Sequence, residues 1–146
     1  MQEVINKKKW VLITGALGGI GKALVSEFVK QGYEVIATDI SDCATPVMNV
    51  HYLQLDLETF VLEEDYARNF YSKVSDRTGK MGISCLINNA AIQILSTTSE
   101  MSRKQWLSSF NVNLSAPFFL SQLFTDDLTI NKGSIINVSS IHATQT

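Results

Sequence analysis

Between an unbroken apolar run, Trp10-Val11-Leu12-Ile13, and a stretch with apolar residues near helical spacing lies Thr14-Gly15-Ala16-Leu17-Gly18-Gly19-Ile20-Gly21, with four glycines in its last seven residues. No other segment limits the fold as much. Glycine loses more backbone freedom on folding than any other residue, so this density fits a chain that must turn sharply or approach something closely. A strand, a glycine turn and a helix in that order present the free N–H groups and partial positive charge of a helix N-terminus. Such an arrangement is suited to a pyrophosphate. The glycine spacing alone is a weak signal; its position between a buried strand and a helix is the context the mechanism needs.

The rest of the chain repeats the strand–helix alternation. After the turn, Ile20, Ala23, Leu24, Phe28 and Val29 recur near helical spacing up to Gln31, with Gly32 as a stop. Glu34–Thr38 reads as a second strand ending at Asp39, Asp42–Val50 as loop, and His51–Leu55 as a third strand closed by Asp56. A helix is predicted over Glu63–Asp76 and a fourth strand over Ser84–Ile87, followed by a polar loop at Gln93–Met101. A long helix is predicted from Arg103 to Leu128, bent or divided by Pro117, and a fifth strand over Gly133–Val138. Short continuous apolar runs suit strands buried on both faces. The alternation implies an α/β fold with a parallel sheet and right-handed crossovers.

Asp39 ends the second strand, eighteen residues after Gly21. A carboxylate there can accept hydrogen bonds from both hydroxyls of an adenosine ribose, and it would repel a 2′-phosphate. Beyond Lys22, no Lys or Arg lies near the turn, and none follows Asp39 before Arg68. These residues favour NAD over NADP.

Composition removes other classes. A chain of 146 residues, 45% hydrophobic and 18% charged, can bury a core and suits one domain, taken here as residues 1–146. The net charge of -2 gives no reason to expect nucleic acid, and Lys7-Lys8-Lys9 reads as a solvated edge. Cys43 and Cys85 have neither metal nor redox spacing; Cys85 reads as a small core residue. No window reaches the roughly 18 apolar residues of a membrane span, and Met1–Asn6 is polar, so a cytoplasmic protein is expected.

The collected residues resemble the short-chain dehydrogenase/reductase family, in five ordered places. Thr14–Gly21 is similar to its TGxxxGxG turn. Asp56-Leu57 is similar to an acidic dipeptide whose Asp contacts adenine and whose second residue adds a backbone contact. Asn88-Asn89-Ala90 resembles the NNAG motif, with Ala91 in place of the last glycine. Asn113 resembles the catalytic helix asparagine, and Gly133–Ser140 resembles the GxIVNxSS strand with its catalytic second serine. Gly15, Gly18 and Gly21 also fit the TGxxGxxG spacing of the extended, epimerase-like branch. Asn88-Asn89 and Ile136–Ser140 fit the ordinary dehydrogenase branch better.

The resemblance implies a Rossmann-type doubly wound parallel sheet of five strands in the order 3-2-1-4-5, truncated relative to the seven-stranded family fold. It implies hydride transfer between NAD(H) and an alcohol or carbonyl substrate. Thr14, Gly15, Leu17, Gly18, Gly19, Ile20, Gly21, Asp39, Ile40, Asp56, Leu57, Asn89, Ala90 and Ala91 would hold the cofactor. Ser140 would hold the substrate oxygen, and Asn113 would anchor a relay water. It implies a homo-oligomer for the full-length form.

The family's proton donor is a Tyr with a Lys four residues later. None of Tyr33, Tyr52, Tyr66 and Tyr71 has that Lys, and the expected position falls beyond Thr146. His142 reads as a solvated loop residue. The chain is therefore expected to be a fragment or truncated product, whose fifth strand leaves an apolar edge open to association. The alternative to an oxidoreductase is an NAD-binding module without catalysis.

Overall fold

The computed structural model describes residues 8–42 and 45–140; Met1–Asn6, Lys7, Cys43 and His142 lie outside them. The elements are β1 (Trp10–Thr14), α1 (Gly19–Lys30), β2 (Glu34–Asp39), β3 (Val50–Gln54), α2 (Leu57–Leu62), α3 (Glu64–Arg77), β4 (Cys85–Asn88), α4 (Arg103–Phe110), a π-helical turn (Asn111–Ser115), α5 (Ala116–Leu123), α6 (Thr125–Ile130) and β5 (Ser134–Asn137). The five strands form one sheet in the order β3-β2-β1-β4-β5. Every neighbouring pair is parallel, with Val11 beside Val35 and Cys85, and Cys85 beside Ser134.

The strand runs are apolar without alternation because helices cover both faces of the sheet. Trp10 and Leu12 of β1 join one core with Ile36, Leu86, Phe70, Val112 and Phe124. Val11 and Ile13 join the opposite core with Val25, Val35, Ala37, Cys85 and Ile87. Successive side chains on a strand point to opposite faces, so both need an apolar residue. Burying a side chain such as Leu12 or Ile36 stabilises the fold by about 1.5–3 kcal/mol.

Besides one-residue differences at the ends of β4 and β5, three predicted elements differ. The sequence pattern omits α2 and places one helix at Glu63–Asp76. The structure has two helices, separated at Glu63, whose backbone is extended at φ -125° and ψ 105°. Six residues are too few for a helical period to register, and α2 owes its start to a cap at Asp56. The strand predicted at His51–Leu55 lies one residue earlier, because Val50 pairs with Val35. The long helix from Arg103 is divided, with the π-helical turn immediately before α5 and a further break at Phe124, φ -101° and ψ 10°. Pro117 falls in the first turn of α5, where a missing N–H leaves little unsatisfied.

Candidate functional site

The C-terminal ends of β1, β2 and β4 converge on the glycine turn. Gly15 has a φ of +64°, and a Cβ there would lie 2.8 Å from Ala90 Cα. At Gly21 a Cβ would lie 2.0 Å from the Gly15 carbonyl oxygen. The protein's own backbone therefore requires both glycines. Gly19 is different: a Cβ there would meet nothing within 4 Å. Gly19 opens α1, whose N-cap, Gly18, has no side chain to satisfy the first-turn N–H groups.

Side chains fix the turn from two sides. The Leu17 N–H donates to Asp39 Oδ2 at 3.0 Å, and the Ser41 N–H donates to Asp39 Oδ1 at 3.3 Å. Immediately after β4, Asn89 Nδ2 donates to the carbonyls of Thr14 and Gly15 at 2.9 and 3.1 Å. The N–H groups of Asn89 and Ala90 both donate to Thr14 Oγ1 at 3.0 Å. Thr14 and Asn89 thus lock the exit of β1 to the exit of β4.

In front of the turn lies a cleft of about 490 Å³. All the residues predicted to hold a cofactor line it except Leu17, which instead anchors Asp39. Thr38, Leu55, Glu58, Ile92, Ser108 and Val112 also line it and were missed by the sequence reading. These six belong to no motif. Only the placement of α2, α4 and the π-helical turn brings Glu58, Ser108 and Val112 to the cleft. The charged residues among the lining are Asp39, Asp56 and Glu58, all acidic.

Asp56 is the N-cap of α2. Its Oδ1 accepts from the Glu58 and Thr59 N–H groups at 3.0 and 3.4 Å, and its Oδ2 accepts from Thr59 Oγ1 at 3.0 Å. All three donors belong to the helix it caps.

Asn113 and Ser140 do not line the cleft. Asn113 sits on the π-helical turn, a feature often found at functional sites. Its Oδ1 accepts from the Ile92 N–H and its Nδ2 donates to the Ile92 carbonyl, both at 2.9 Å. It therefore holds the chain that leaves β4 along the cleft rim. Ser140 is exposed, three residues beyond β5, on the same C-terminal side of the sheet. The Val138 N–H, donating to the Asn88 carbonyl at 2.9 Å, steers that segment.

Cys85 is buried as expected, and burial pushes its thiol pKa up, so it stays protonated in the core. Among the described residues, no group of His, Cys, Asp and Glu side chains could hold a metal ion, and no helix is long and apolar enough to cross a membrane.

A family model described as short chain dehydrogenase matches residues 9–146. The chain is 34% identical over 139 residues to a 3-oxoacyl-(acyl-carrier-protein) reductase, FabG, of Thermotoga maritima, a match covering 91% of this chain and 56% of that protein. It is similar to a solved oxidoreductase of the short chain dehydrogenase/reductase family from Brucella ovis, in complex with a partially ordered NAD. That likeness has a TM-score of 0.82 at 26% identity and covers 95% of this chain and 66% of the other. A 4-hydroxyisoleucine dehydrogenase complexed with NADH gives a TM-score of 0.77 at 29% identity, covering 92% of this chain and 56% of the other. The chain spans about half the length of the curated relatives it matches. A match running from the first strand through β5, over the same parallel sheet, shows that the chain belongs to the short chain dehydrogenase family.

Proposed function

We propose that the cleft holds NAD and that the chain is the cofactor-binding part of an oxidoreductase acting on an alcohol or carbonyl substrate. Gly19 carries this reading. Gly15 and Gly21 are explained by the chain's own contacts, whereas Gly19 faces open space at an uncapped helix N-terminus. A pyrophosphate approaching that backbone would use the space and the free N–H groups together. Two similar proteins of known structure carry NAD or NADH.

Asp39 supports NAD against NADP. Each carboxylate oxygen has two lone-pair sites, so two backbone bonds leave acceptor capacity for ribose hydroxyls. A 2′-phosphate would meet a cleft whose charged lining is Asp39, Asp56 and Glu58. Ile20 and Ile40 are exposed apolar walls for the flat parts of the ligand.

When bound, NAD takes or gives a hydride at its nicotinamide ring. The chain's own residues would hold and orient it. Asn113 fixes the Ile92 backbone at the rim, and Ser140 follows β5 on the side where a substrate oxygen would be held. A cytoplasmic setting and a homo-oligomeric full-length form accompany this reading. A second reading is an NAD-holding module without turnover.

Titration calorimetry tests the binding. NAD should bind saturably and about tenfold or more tighter than NADP, a difference of about 1.4 kcal/mol. No saturable NAD binding overturns the proposal. A dehydrogenase assay over a panel of alcohols separates the two readings: turnover that disappears in Ser140→Ala would exclude the inactive module.

A further inference from the structure

A second cavity, of about 630 Å³, lies between the loop that precedes α4 and the start of that helix. Its lining shares no residue with the cleft. Met101, Trp106 and Leu107 supply apolar surface, Ser96 and Thr98 supply hydroxyls, and Arg103 is the one charged residue in the lining. The cleft carries the opposite sign, through Asp39, Asp56 and Glu58. Local hydrogen bonds fix both sides of the cavity. On the loop side, the Glu100 and Met101 N–H groups donate to the Thr97 carbonyl at 3.1 and 3.0 Å, and Thr97 Oγ1 donates to Glu100 Oε2 at 2.9 Å. On the helix side, a capping box joins Ser102 and Gln105: the Gln105 N–H donates to Ser102 Oγ at 3.2 Å, and the Ser102 N–H donates to Gln105 Oε1 at 2.9 Å.

The fold itself uses neither the charge nor the apolar surface of this cavity. Arg103 and Lys104 stand in the first turn of α4, with no acidic residue beside them. The N-terminal end of a helix carries partial positive charge, so cations are disfavoured there. Among the described residues, the Arg103 guanidinium joins no ion pair or hydrogen bond, and the Thr98 hydroxyl joins no hydrogen bond. Trp106 and Leu107 are each 57% exposed. The Trp106 ring leans on Phe110 one turn on, with ring centroids 5.9 Å apart, which holds the indole in place. We infer that this cavity is a second binding site, for a small amphiphilic anion: an apolar ring or chain bearing a carboxylate. The carboxylate would offset the charge of Arg103, whose planar fork of donors suits two oxygens at once, and would accept from Thr98. The apolar body would cover Trp106 and Leu107. The volume suits a small organic molecule. This inference stands apart from the NAD reading, because the two cavities have separate linings.

Phenylbutyrate and phenylbutylamine have one apolar body and opposite charges, so together they separate an anion site from a merely apolar surface. In amide-resolved NMR titrations of the chain, phenylbutyrate should give saturable shifts centred on Ser96, Thr98, Arg103 and the Trp106 indole N–H. It should bind about three- to fivefold tighter than the amine, as expected of an exposed ion pair. Arg103→Gln should bring the two ligands level, and Arg103→Lys should keep the preference. Trp106→Ala should weaken both by about tenfold, and Trp106→Phe should restore most of the affinity. Saturating NAD should leave phenylbutyrate in place. Circular dichroism melts of each variant separate folding defects from lost binding. Equal binding of the acid and the amine by the unmodified chain, or no saturable shift with either, overturns the inference. Unchanged phenylbutyrate affinity in Arg103→Gln or in Trp106→Ala does so too. Shifts centred on the cleft, or displacement by NAD, overturn it in favour of the cleft. An affinity that falls as the chain is concentrated overturns it in favour of a second copy covering this face.

Discussion

Gly19 and Gly21 sit two positions apart on the first turn of α1, yet they meet different demands. A methyl group at Gly21 would collide with the backbone of Gly15 and Ala16, which cannot move aside as a side chain can. Gly21→Ala should destabilise the fold by about 1–3 kcal/mol, the usual cost of overpacking, and abolish NAD binding with it. Gly19→Ala meets open space and places a better helix former in α1, so the melting temperature should hold or rise slightly. Its NAD affinity should nonetheless fall, because the methyl group occupies the approach. Thermal melts and titration calorimetry on the two variants give opposite patterns if the space belongs to a ligand; unchanged NAD affinity in Gly19→Ala would sink that view. Asp39 fixes the turn and faces the cleft proposed to hold the cofactor. Asp39→Ala removes the acceptor for the Leu17 and Ser41 N–H groups, so it should loosen the turn, weaken NAD binding and reduce discrimination against NADP. A titration of both cofactors shows whether the preference shifts.

At the scale of elements, short-range chemistry decides where helices start. Asp56 caps α2 with three accepted bonds, and Asp56→Ala should cost about 0.5–2 kcal/mol. Amide exchange should report it first at Leu57–Leu62, ahead of the sheet. Strands are tied at their other end by Glu34. Its carboxylate accepts from Lys8, which precedes β1, and pairs with His51 of β3 at 2.9 Å. The hydrogen bonds from Lys8 and His51 hold its pKa below the usual carboxylate range. A folded-state pKa below the unfolded value contributes stability above the unfolded pKa, and that contribution is lost as pH falls through the folded one. Acid melts of the chain should therefore steepen below the ordinary carboxylate range, and Glu34→Gln should flatten that limb while lowering stability at neutral pH. Identical acid limbs would remove Glu34 from the account.

For the whole molecule, the sheet has two edges, and β5 forms an apolar one. β1, β2 and β4 each have neighbours on both sides, whereas, among the described residues, the edge strand β3 pairs only with β2 and the edge strand β5 only with β4. Ile135, Ile136 and Val138 are 43%, 45% and 39% exposed. An apolar edge strand with unpaired backbone groups is a template for another chain. The 146-residue chain should therefore associate in a concentration-dependent way, and Ile136→Lys should shift it towards monomer. Sedimentation velocity across a concentration series checks this; a monodisperse monomer at all concentrations would show that the edge is protected.

Much of the fold could be read directly along the chain. Unbroken apolar runs mark strands buried on both faces, and Trp10–Ile13, Glu34–Thr38 and Ser84–Ile87 lie within a residue of the strands observed. The glycine turn, Asp39 and Asn89-Ala90-Ala91 were legible because each is a local segment at a strand end, and parallel strands bring those ends to one rim. The tertiary structure decided what depends on helix placement. It turned Asp56 into a cap, joined Asn113 to Ile92, opened a π-helical turn and set Ser108 against Glu58. These contacts join residues whose hydrogen-bonding capacity is ordinary, and no spacing along the chain records which of them will meet. Periodicity specifies which face of an element is apolar; the packing of those faces then determines where polar side chains are held around the cleft.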